Sequence, residues 1–280
     1  MSCRCFARAV WHTHVGENMW IFFVILARET SRLDKKLIEL GALGYPYIVV
    51  CGEKTDIPNV VYRKPKGKFD AMNYGLTFVP HETDIVAFND VDTEIHNFDA
   101  ALRCFRDGNI ALEFVRVQVT GGPQISFYSF LDALRRRVPI AASGELMLVR
   151  REFLESIMPL KRCKAEDSYV LFKVLENGGK VVFCEDCFVV TERTSSSEQE
   201  EAYKRRTVGG IYQALSMSRP PFAVRLFYSL LPFVSPLLLV LGKNGFYWSK
   251  GILLGFVDYV RGDTAGAWKV TYPQAGVRDL

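Results

Sequence analysis

The sequence predicts an α/β fold in which a mostly parallel sheet is covered by helices on both faces. Short apolar runs alternate with amphipathic segments between Trp20 and Phe183. The runs are apolar at nearly every position, as in W-I-F-F-V-I-L from Trp20 to Leu26. Strands of this kind are buried on both faces, which is typical of parallel sheets. Such sheets bind ligands at the carboxyl ends of their strands, so functional residues are expected there.

The first half of the chain alternates regularly between the two kinds of segment. The predicted strands are Trp20–Leu26, Tyr47–Val50, Asn59–Tyr62, Asp84–Phe88 and Ile110–Val119. The predicted helices are Arg32–Leu40, Phe69–Phe78 and Asp99–Phe105. Leucines at helical spacing support the first helix, and Gly41 and Gly44 are expected to end it.

The pattern is less regular after Thr120. Helices are predicted at Phe127–Arg137 and Ser168–Leu175, and strands at Gly144–Val149 and Lys180–Phe183. Glu198–Arg206 is interpreted as a charged helix or a linker.

Composition and charge narrow the class of protein. With 280 residues, 49% of them hydrophobic and 24% charged, the chain suits one sizeable core or a core with a small appendage. Ten Lys/Arg and three Asp follow residue 202, while acids exceed bases before it. The late basic residues flank apolar runs and form no polar stripe, which favours an anionic lipid surface over a nucleic acid as partner.

The cysteines indicate a reducing environment. Seven cysteines, an odd number, with no apolar leader at the start argue against a secreted disulfide framework. Cys184 and Cys187 form one C-x-x-C pair. A zinc site would need a second ligand pair, so the sequence favours buried thiols at this position.

The segment D-I-V-A-F-N-D-V-D-T-E, Asp84 to Glu94, carries the clearest functional signal. An apolar strand leads directly into Asp90 and Asp92. Two carboxylates at the end of a strand can hold Mg²⁺ or Mn²⁺ against a diphosphate, because these ions prefer oxygen ligands. The alternative interpretation is a solvated acidic turn.

Three further segments contain candidate residues. Glu166-Asp167 precedes a helix, where Asp167 is either a general base or an N-cap. The lysines of Lys64–Lys68 are either phosphate ligands at a helix start or a solvated loop. The basic run Lys204-Arg205-Arg206 is either a clamp for a leaving diphosphate or a cluster beside a membrane.

The end of the chain is apolar. Leu226–Leu241 contains no charge, and Phe246–Val260 is a second apolar segment, with a turn predicted at Gly242–Gly245. The pair is interpreted as a spanning hairpin, as helices in the membrane interface, or as helices packed on the domain. The interfacial interpretation is favoured, because the second segment is short and carries Lys250 and Asp258.

Together these segments resemble the membrane-associated inverting glycosyltransferases of family 2, which include cellulose and hyaluronan synthases and polyprenyl-phosphate sugar transferases. The resemblance covers roughly residues 20 to 210. The matching positions are Gly67-Lys68 with Ala71, Asn73 and Gly75, then Asp90 and Asp92, Ser143-Gly144 before Arg150-Arg151, Glu166-Asp167, and Arg206.

The resemblance implies a glycosyltransferase-A, Rossmann-like fold and a role for each matched residue. Asp167 would be the catalytic base beside Glu166, and Asp90 and Asp92 would hold Mg²⁺ or Mn²⁺. The donor-binding residues would be Ala27, Glu29, Glu53 (where the family usually has Asp), Lys68, Asp90 and Arg206.

The chain departs from the family at one sequence motif. By register with Gly210, Tyr203 and Thr207 stand where the family has the Gln and Trp of its Gln-x-x-Arg-Trp motif. In processive members that Trp lines the acceptor channel, so its absence argues against a polysaccharide synthase.

The resulting hypothesis is a metal-dependent inverting hexosyltransferase. It would move a sugar from a nucleoside-diphosphate sugar, with UDP favoured, to a membrane-proximal acceptor such as a lipid-linked sugar or polyprenyl phosphate. Residues 1–210 would form a cytoplasmic catalytic domain and 211–280 a membrane-associated tail, with no nucleic-acid partner. The rivals are a catalytically silent nucleotide-sugar-binding adaptor, a processive synthase and a nucleotidyltransferase.

Overall fold

The structure, a computed structural model, describes residues 19–106, 109–120, 125–192 and 196–262. The first part of the expected catalytic domain, residues 1–18, and the last part of the expected tail, residues 263–280, lie outside the described residues.

A single eight-stranded sheet runs through the described part of the chain. Its strands are Ile21–Ala27 (β1), Tyr47–Cys51 (β2), Val60–Tyr62 (β3), Ile85–Asp90 (β4), Thr93–His96 (β5), Ile110–Thr120 (β6), Leu146–Arg150 (β7) and Lys180–Glu192 (β8), in the order β3-β2-β1-β4-β7-β6-β8-β5. Strands β3, β2, β1 and β4 are parallel to one another. Strand β7 runs antiparallel to both of its neighbours, β6 and β8 are parallel, and β5 is antiparallel to β8.

Helices cover both faces of the sheet, as predicted. They are Leu33–Leu43 (α1), Lys68–Leu76 (α2), Phe98–Phe105 (α3), Ile125–Arg135 (α4), Arg151–Ile157 (α5), Glu166–Glu176 (α6), Ser197–Ser216 (α7), Phe222–Val234 (α8) and Gly242–Val260 (α9). Side chains of α2, α5, α6 and α7 share one core with alternate residues of β1, such as Val24. Side chains of α1 and α3 share the core on the other face with the remaining residues of β1, such as Ile25. All seven residues of β1 are therefore buried.

Two elements do not appear among the sequence predictions. Strand β5 has only four residues and carries Glu94 and His96 on its exposed side, so its apolar signal is weak. Helix α5 begins directly after β7, at Arg151, without a turn signal between them. The charged segment at Glu198–Arg206 is a helix, and α7 extends it to Ser216.

Helix α9 packs lengthwise on α7 through glycines. An added Cβ at Gly251 would lie 2.8 Å from the carbonyl oxygen of Glu201, and one at Gly255 would lie 2.5 Å from that of Arg205. The Arg205 guanidinium also binds both carboxylate oxygens of Asp258, at 2.6 and 2.8 Å. The two helices are thus held together by close backbone contact and by an ion pair.

The turn predicted at Gly242–Gly245 is wrong, because these residues form the first turn of α9. A 3₁₀ segment, Ser235–Leu241, follows α8, and the chain changes direction at Gly242, the first residue of α9, whose φ is 72°. Within the described residues, Phe222–Val260 is the one segment long and apolar enough to cross a membrane, and the structure folds it into these three pieces. Apolar side chains of this segment point outward and form what we call the outer apolar surface: Phe222, Leu226, Leu230, Phe233, Leu237 and Val240.

Candidate active site

The carboxyl ends of β1, β2 and β4 meet at one edge of the sheet. Ala27 pairs with Cys51, and Leu26 pairs with Asp90. The N–H of Gly52 donates to the carbonyl of Ala27 at 3.0 Å. The loops after these three strands, which carry Glu29, Glu53 and Asp90, therefore share this edge, as the parallel pattern predicts.

The side chain of Glu53 holds the loop after β1. Its Oε2 accepts hydrogen bonds from the Thr30 backbone N–H at 3.0 Å and from the Thr30 hydroxyl at 2.9 Å. Glu53 is exposed, and the adjacent Gly52 packs against the backbone of Arg28. This arrangement brings the predicted nucleotide-binding positions Ala27, Glu29 and Glu53 into one neighbourhood.

Lys68 lies at the centre of the site. It is the first residue of α2, after Gly67, whose φ of 124° turns the chain into the helix. Its Nζ lies 2.7 and 2.8 Å from the two carboxylate oxygens of Asp90 and donates to the carbonyl of Gly144 at 3.0 Å. Burial lowers the pKa of Lys68, but the charges of Asp90 and Asp167 outweigh it and raise this pKa above its ordinary value.

The same environment strongly shifts the pKa of Asp90. Burial raises its pKa to about 7, the Lys68 ammonium acts against this, and the Asp92 and Glu145 carboxylates add to it. Asp90 and Asp92 offer carboxylate oxygens of the kind that Mg²⁺ and Mn²⁺ prefer, and in this structure the Lys68 ammonium is the positive charge paired with Asp90.

Asp167 comes to the same place from a distant part of the chain. A Cβ added at Gly144 would lie 2.9 Å from Lys68 Nζ and 3.1 Å from Asp167 Oδ2, so the three residues are in contact. Ala165 occupies the N-cap of α6, and Asp167 lies in the first turn, where its Oδ1 accepts the Ser168 N–H at 2.7 Å. Burial raises its pKa, and the Lys68 charge lowers it. Asp167 thus binds a backbone group of the helix start with one oxygen and faces Lys68 with the other.

Glu166 connects α6 to α2. Its Oε1 accepts the backbone N–H of Phe69 at 3.3 Å, next to Lys68. Burial raises the pKa of Glu166, while the charge of Lys68 and, to a smaller extent, that of Arg206 lower it. Asp167 is therefore held in position by a neighbour that itself contacts the helix carrying Lys68.

The three consecutive cations on α7 have different surroundings. Arg205 pairs with Asp258 on α9, the Lys204 ammonium lies 3.9 Å from the centre of the Trp248 ring, and the Arg206 guanidinium lies 5.6 Å from the centre of the Tyr203 ring. A Cβ at Gly210 would lie 2.7 Å from the backbone nitrogen of Ala165, so α7 passes close to the start of α6. Of the lysines in the loop before α2, Lys64 and Lys66 are exposed, whereas Lys68 binds Asp90.

Two residues of the site were missed by the sequence interpretation. Lys36 on α1 is almost fully buried, and its Nζ donates to Asn89 Oδ1 at 2.9 Å and to the carbonyl of Thr93 at 2.5 Å. The sequence did contain a signal for Lys36, because it lies between Leu33 and Leu40 on the face of α1 that is predicted to be buried. Glu145 follows Gly144, and its carbonyl accepts hydrogen bonds from the Asn89 side chain and the Asp90 N–H, at 2.5 and 3.3 Å.

Comparisons with known proteins agree with this geometry. A sequence profile of the family described as glycosyltransferase like family 2 matches residues 68–210. None of the curated proteins matches the chain in sequence. Among solved structures, a mannosyltransferase from Pyrobaculum calidifontis in complex with GDP-Man and Mn²⁺ is similar over 90% of this chain and 91% of its own, with 17% identity and a TM-score of 0.66.

Two other solved structures share the fold less closely. GalNAc-T7 with UDP, GalNAc and Mn²⁺ is similar over 88% of this chain and 56% of its own, with 12% identity and a TM-score of 0.53. The glucosyl-3-phosphoglycerate synthase of M. tuberculosis is similar over 72% of this chain and 82% of its own, with 17% identity and a TM-score of 0.50.

These likenesses confirm the glycosyltransferase-A fold predicted from the resemblance. The profile match spans just over half of the chain and includes Lys68, Asp90 and Asp167, the residues that the fold brings together, and Arg206 on α7. The chain belongs to glycosyltransferase family 2.

Proposed function

We propose that the protein transfers a sugar, with inversion, from a nucleoside-diphosphate sugar to an acceptor at a membrane surface. One observation carries the proposal: carboxylates from separate stretches, Asp90 and Asp167, converge on Lys68 at the carboxyl edge of the sheet. Family membership and the solved neighbours, which bind GDP-Man or UDP, support a nucleotide-sugar donor.

The donor would lie along the edge formed by β1, β2 and β4. Ala27, Glu29 and Glu53 would contact the nucleoside, because they occupy the loops nearest the end of β1. UDP is favoured by the resemblance to cellulose and hyaluronan synthases. Lys68, at the start of α2, would approach the phosphates from the N-terminal end of a helix, where negative charge is favoured.

A divalent ion, Mg²⁺ or Mn²⁺, would be held by Asp92 and Asp90. The Mn²⁺ in two solved neighbours supports this assignment. When bound, the ion neutralises charge that develops on the departing diphosphate. Lys68 pairs with Asp90 in the structure, so the ammonium and the ion would share or compete for that carboxylate.

Asp167 would act as the general base. It accepts the proton of the acceptor hydroxyl while the acceptor oxygen bonds to the anomeric carbon and the bond from that carbon to the diphosphate oxygen breaks. The bonding electrons leave with the diphosphate, whose charge Arg206 would balance. Attack opposite to the leaving group inverts the anomeric centre. An acceptor that is already a phosphate needs no base, and Asp167 would then act through its charge.

The C-terminal helices would place the acceptor. We propose that residues 211–280 form a membrane-associated tail that lies in the interface, on the cytoplasmic face, with residues 1–210 as the catalytic domain. The outer apolar surface on α8 and the 3₁₀ segment supports an interfacial position, and Arg219 and Arg225 lie beside it as ligands for anionic headgroups. Helix α7 runs without a break across the proposed boundary.

The experiment is a donor screen with the purified full chain in detergent. UDP- and GDP-sugars are supplied with Mn²⁺ and a lipid fraction, and released nucleoside diphosphate is measured. We expect release from a UDP-sugar, with an Asp167→Asn variant slower by about 100-fold or more. Asp34→Asn is the matched control, because Asp34 holds the same second position of α1 but is exposed.

Three outcomes distinguish the alternatives. Binding of nucleotide and Mn²⁺ without release from any donor would support the silent adaptor. Undiminished turnover by Asp167→Asn would remove the base assignment and favour a phosphate acceptor. Retention of the anomeric configuration in the product, read by NMR, would contradict the proposed single displacement.

A further inference from the structure

A second group of metal-ligating side chains lies away from the active site. Cys104 on α3, Glu113 on β6 and Cys184 on β8 bring one ligand atom each to within 4.8 Å of one another. They lie on the face of the sheet that α1 and α3 cover, whereas Lys68 and Asp167 come from helices on the opposite face. The sequence shows only the Cys184–Cys187 pair, and the fold supplies Cys104 and Glu113 as further ligands.

Glu113 is the unexpected member of this group. It lies on β6 between β7 and β8, where its neighbours along the strand are apolar, and its side chain is fully buried. Among the residues that the structure describes, neither carboxylate oxygen accepts a hydrogen bond from a nitrogen or oxygen donor, and the one donor acting on it is the weak Cys184 thiol. An ionised carboxylate in such a place costs several kcal/mol unless a cation compensates it.

A bulge in β8 positions Cys184. Pairing with β6 is regular from Val181 opposite Leu112 to Cys184 opposite Val115 and resumes at Phe188 opposite Arg116, so three residues of β8 are looped out. The N–H of Cys187 donates to Cys184 Sγ, with a nitrogen-to-sulfur distance of 3.4 Å. Cys187 itself is completely buried on the same strand, outside the group of three mutually close ligand atoms.

A metal takes cysteine as the thiolate, so binding would release the thiol protons, and the cation would compensate the negative charge of the thiolates and of Glu113 in this buried place.

We propose that Cys104, Glu113 and Cys184 form a structural site for a thiophilic divalent metal ion, zinc above all. Two sulfurs and one carboxylate oxygen are ligand types that zinc takes, and a fourth ligand, either water or the Cys187 thiol, would complete the tetrahedron. Mg²⁺ and Mn²⁺ prefer oxygen ligands alone, so this site would not compete with Asp90 and Asp92. The ion would bind α3 to β6 and β8.

The test is the metal content of the full-length protein after dialysis against metal-free buffer. Mass spectrometry of the elements is expected to find about one zinc ion per chain, as four-ligand structural sites bind. The content should be unchanged in an Asp90→Asn/Asp92→Asn variant, which separates this site from the proposed catalytic one. It should fall severalfold in Cys184→Ser and in Glu113→Gln, and stay constant in Cys163→Ser, a buried cysteine outside the group.

A second measurement decides the matter if the ligand variants do not fold. In the wild-type chain, alkylation of Cys104, Cys184 and Cys187 should be slow and should accelerate when a strong chelator is added. Co²⁺ exchanged into the protein should give the absorption of a tetrahedral thiolate complex. Metal-free protein with freely reacting thiols would overturn the proposal, as would a chain lighter by two hydrogens, which indicates a disulfide between two of these cysteines.

Discussion

Lys36 donates a hydrogen bond to Asn89, one residue before Asp90, from the face of the sheet opposite to Lys68. The same ammonium pairs with Glu39 at 2.5 Å, and burial lowers its pKa against the charges of Glu39, Asp92 and Asp90. The end of β4 is therefore fixed from both faces of the sheet by lysines that the chain places 32 residues apart.

Replacing Lys36 tests this arrangement. Lys36→Met should lower the free energy of unfolding by about 3 kcal/mol, because it leaves polar groups of Asn89 and Glu39 without their partner. Chemical denaturation measures the change. Lys35→Met is the control: its side chain is 83% exposed and pairs with Glu94 at the surface, so a loss below about 1 kcal/mol is expected. Equal losses in the two variants would contradict a special role for Lys36.

Gly144 separates Lys68 from Asp167, and a methyl group there should impair turnover. Gly144→Ala inserts a Cβ that would lie 2.9 Å from Lys68 Nζ and 3.1 Å from Asp167 Oδ2, so both side chains must move. We expect kcat to fall by at least about 10-fold, as small misplacements of catalytic groups do. Gly41→Ala in α1, where the new Cβ meets nothing within 4 Å, should keep full activity and gain about 0.5–1 kcal/mol of stability.

The raised pKa of Asp167 predicts the pH at which activity falls on the acid side. A base must be unprotonated, so kcat/KM for a hydroxyl acceptor should fall as pH drops through a pKa above the ordinary aspartate value. The measurement is a pH series at saturating metal ion. An acid limb at the ordinary aspartate pKa, or no limb at all, would show that another group limits the rate.

The same shift predicts how stability depends on pH. A folded-state pKa above the unfolded one means that the Asp167 contribution is most favourable below the unfolded pKa and is lost as pH rises through the folded pKa. Asp167→Asn should therefore be more stable than the wild type at neutral pH, with the difference shrinking in acid. Denaturation curves at several pH values, with Asp34→Asn as control, measure this difference.

The outer apolar surface predicts binding to vesicles. Phe233 and Val240 are 78% and 85% exposed, so Phe233→Ser and Val240→Ser should leave the fold intact. Each change should weaken binding to anionic vesicles by about 10-fold, since burying such a side chain contributes about 1.5–3 kcal/mol. Ile38→Ser, on the exposed side of α1, should bind as the wild type does. Sedimentation with vesicles gives the affinities.

The sequence predicted those parts of the site that local pattern reveals. Asp90 and Asp92 follow an apolar strand, and parallel strands place their carboxyl ends at one edge, so the gathering of Asp90 with the loops of Glu29 and Glu53 could be expected. The residues alone left Asp167 open between a general base and an N-cap, and only the resemblance chose the base, because the approach of Asp167 to Lys68 depends on how α6 packs against α2. The structure gives the N-cap of α6 to Ala165 and places Asp167 in the first turn.

Residues whose roles depend on contacts across the sheet were not predictable. Lys36 lies 53 positions from its partner Asn89, and nothing near either residue signals the pairing. Cys104, Glu113 and Cys184 belong to three elements that meet only after the sheet has formed. The position of β7 as an antiparallel strand between β4 and β6 was not predictable either. Its sequence is a short apolar run, which does not reveal in which direction the strand crosses the sheet.

Helix α7 joins the proposed catalytic domain to the proposed membrane-associated tail. It carries Arg206, and it packs on α9 through Gly255 and the Arg205–Asp258 pair. With the tail in the proposed interfacial position, a displacement of α9 at the lipid surface would be transmitted along this one helix to the residue proposed to balance the leaving diphosphate. Chains shortened after residue 210 should therefore lose sugar transfer together with vesicle binding.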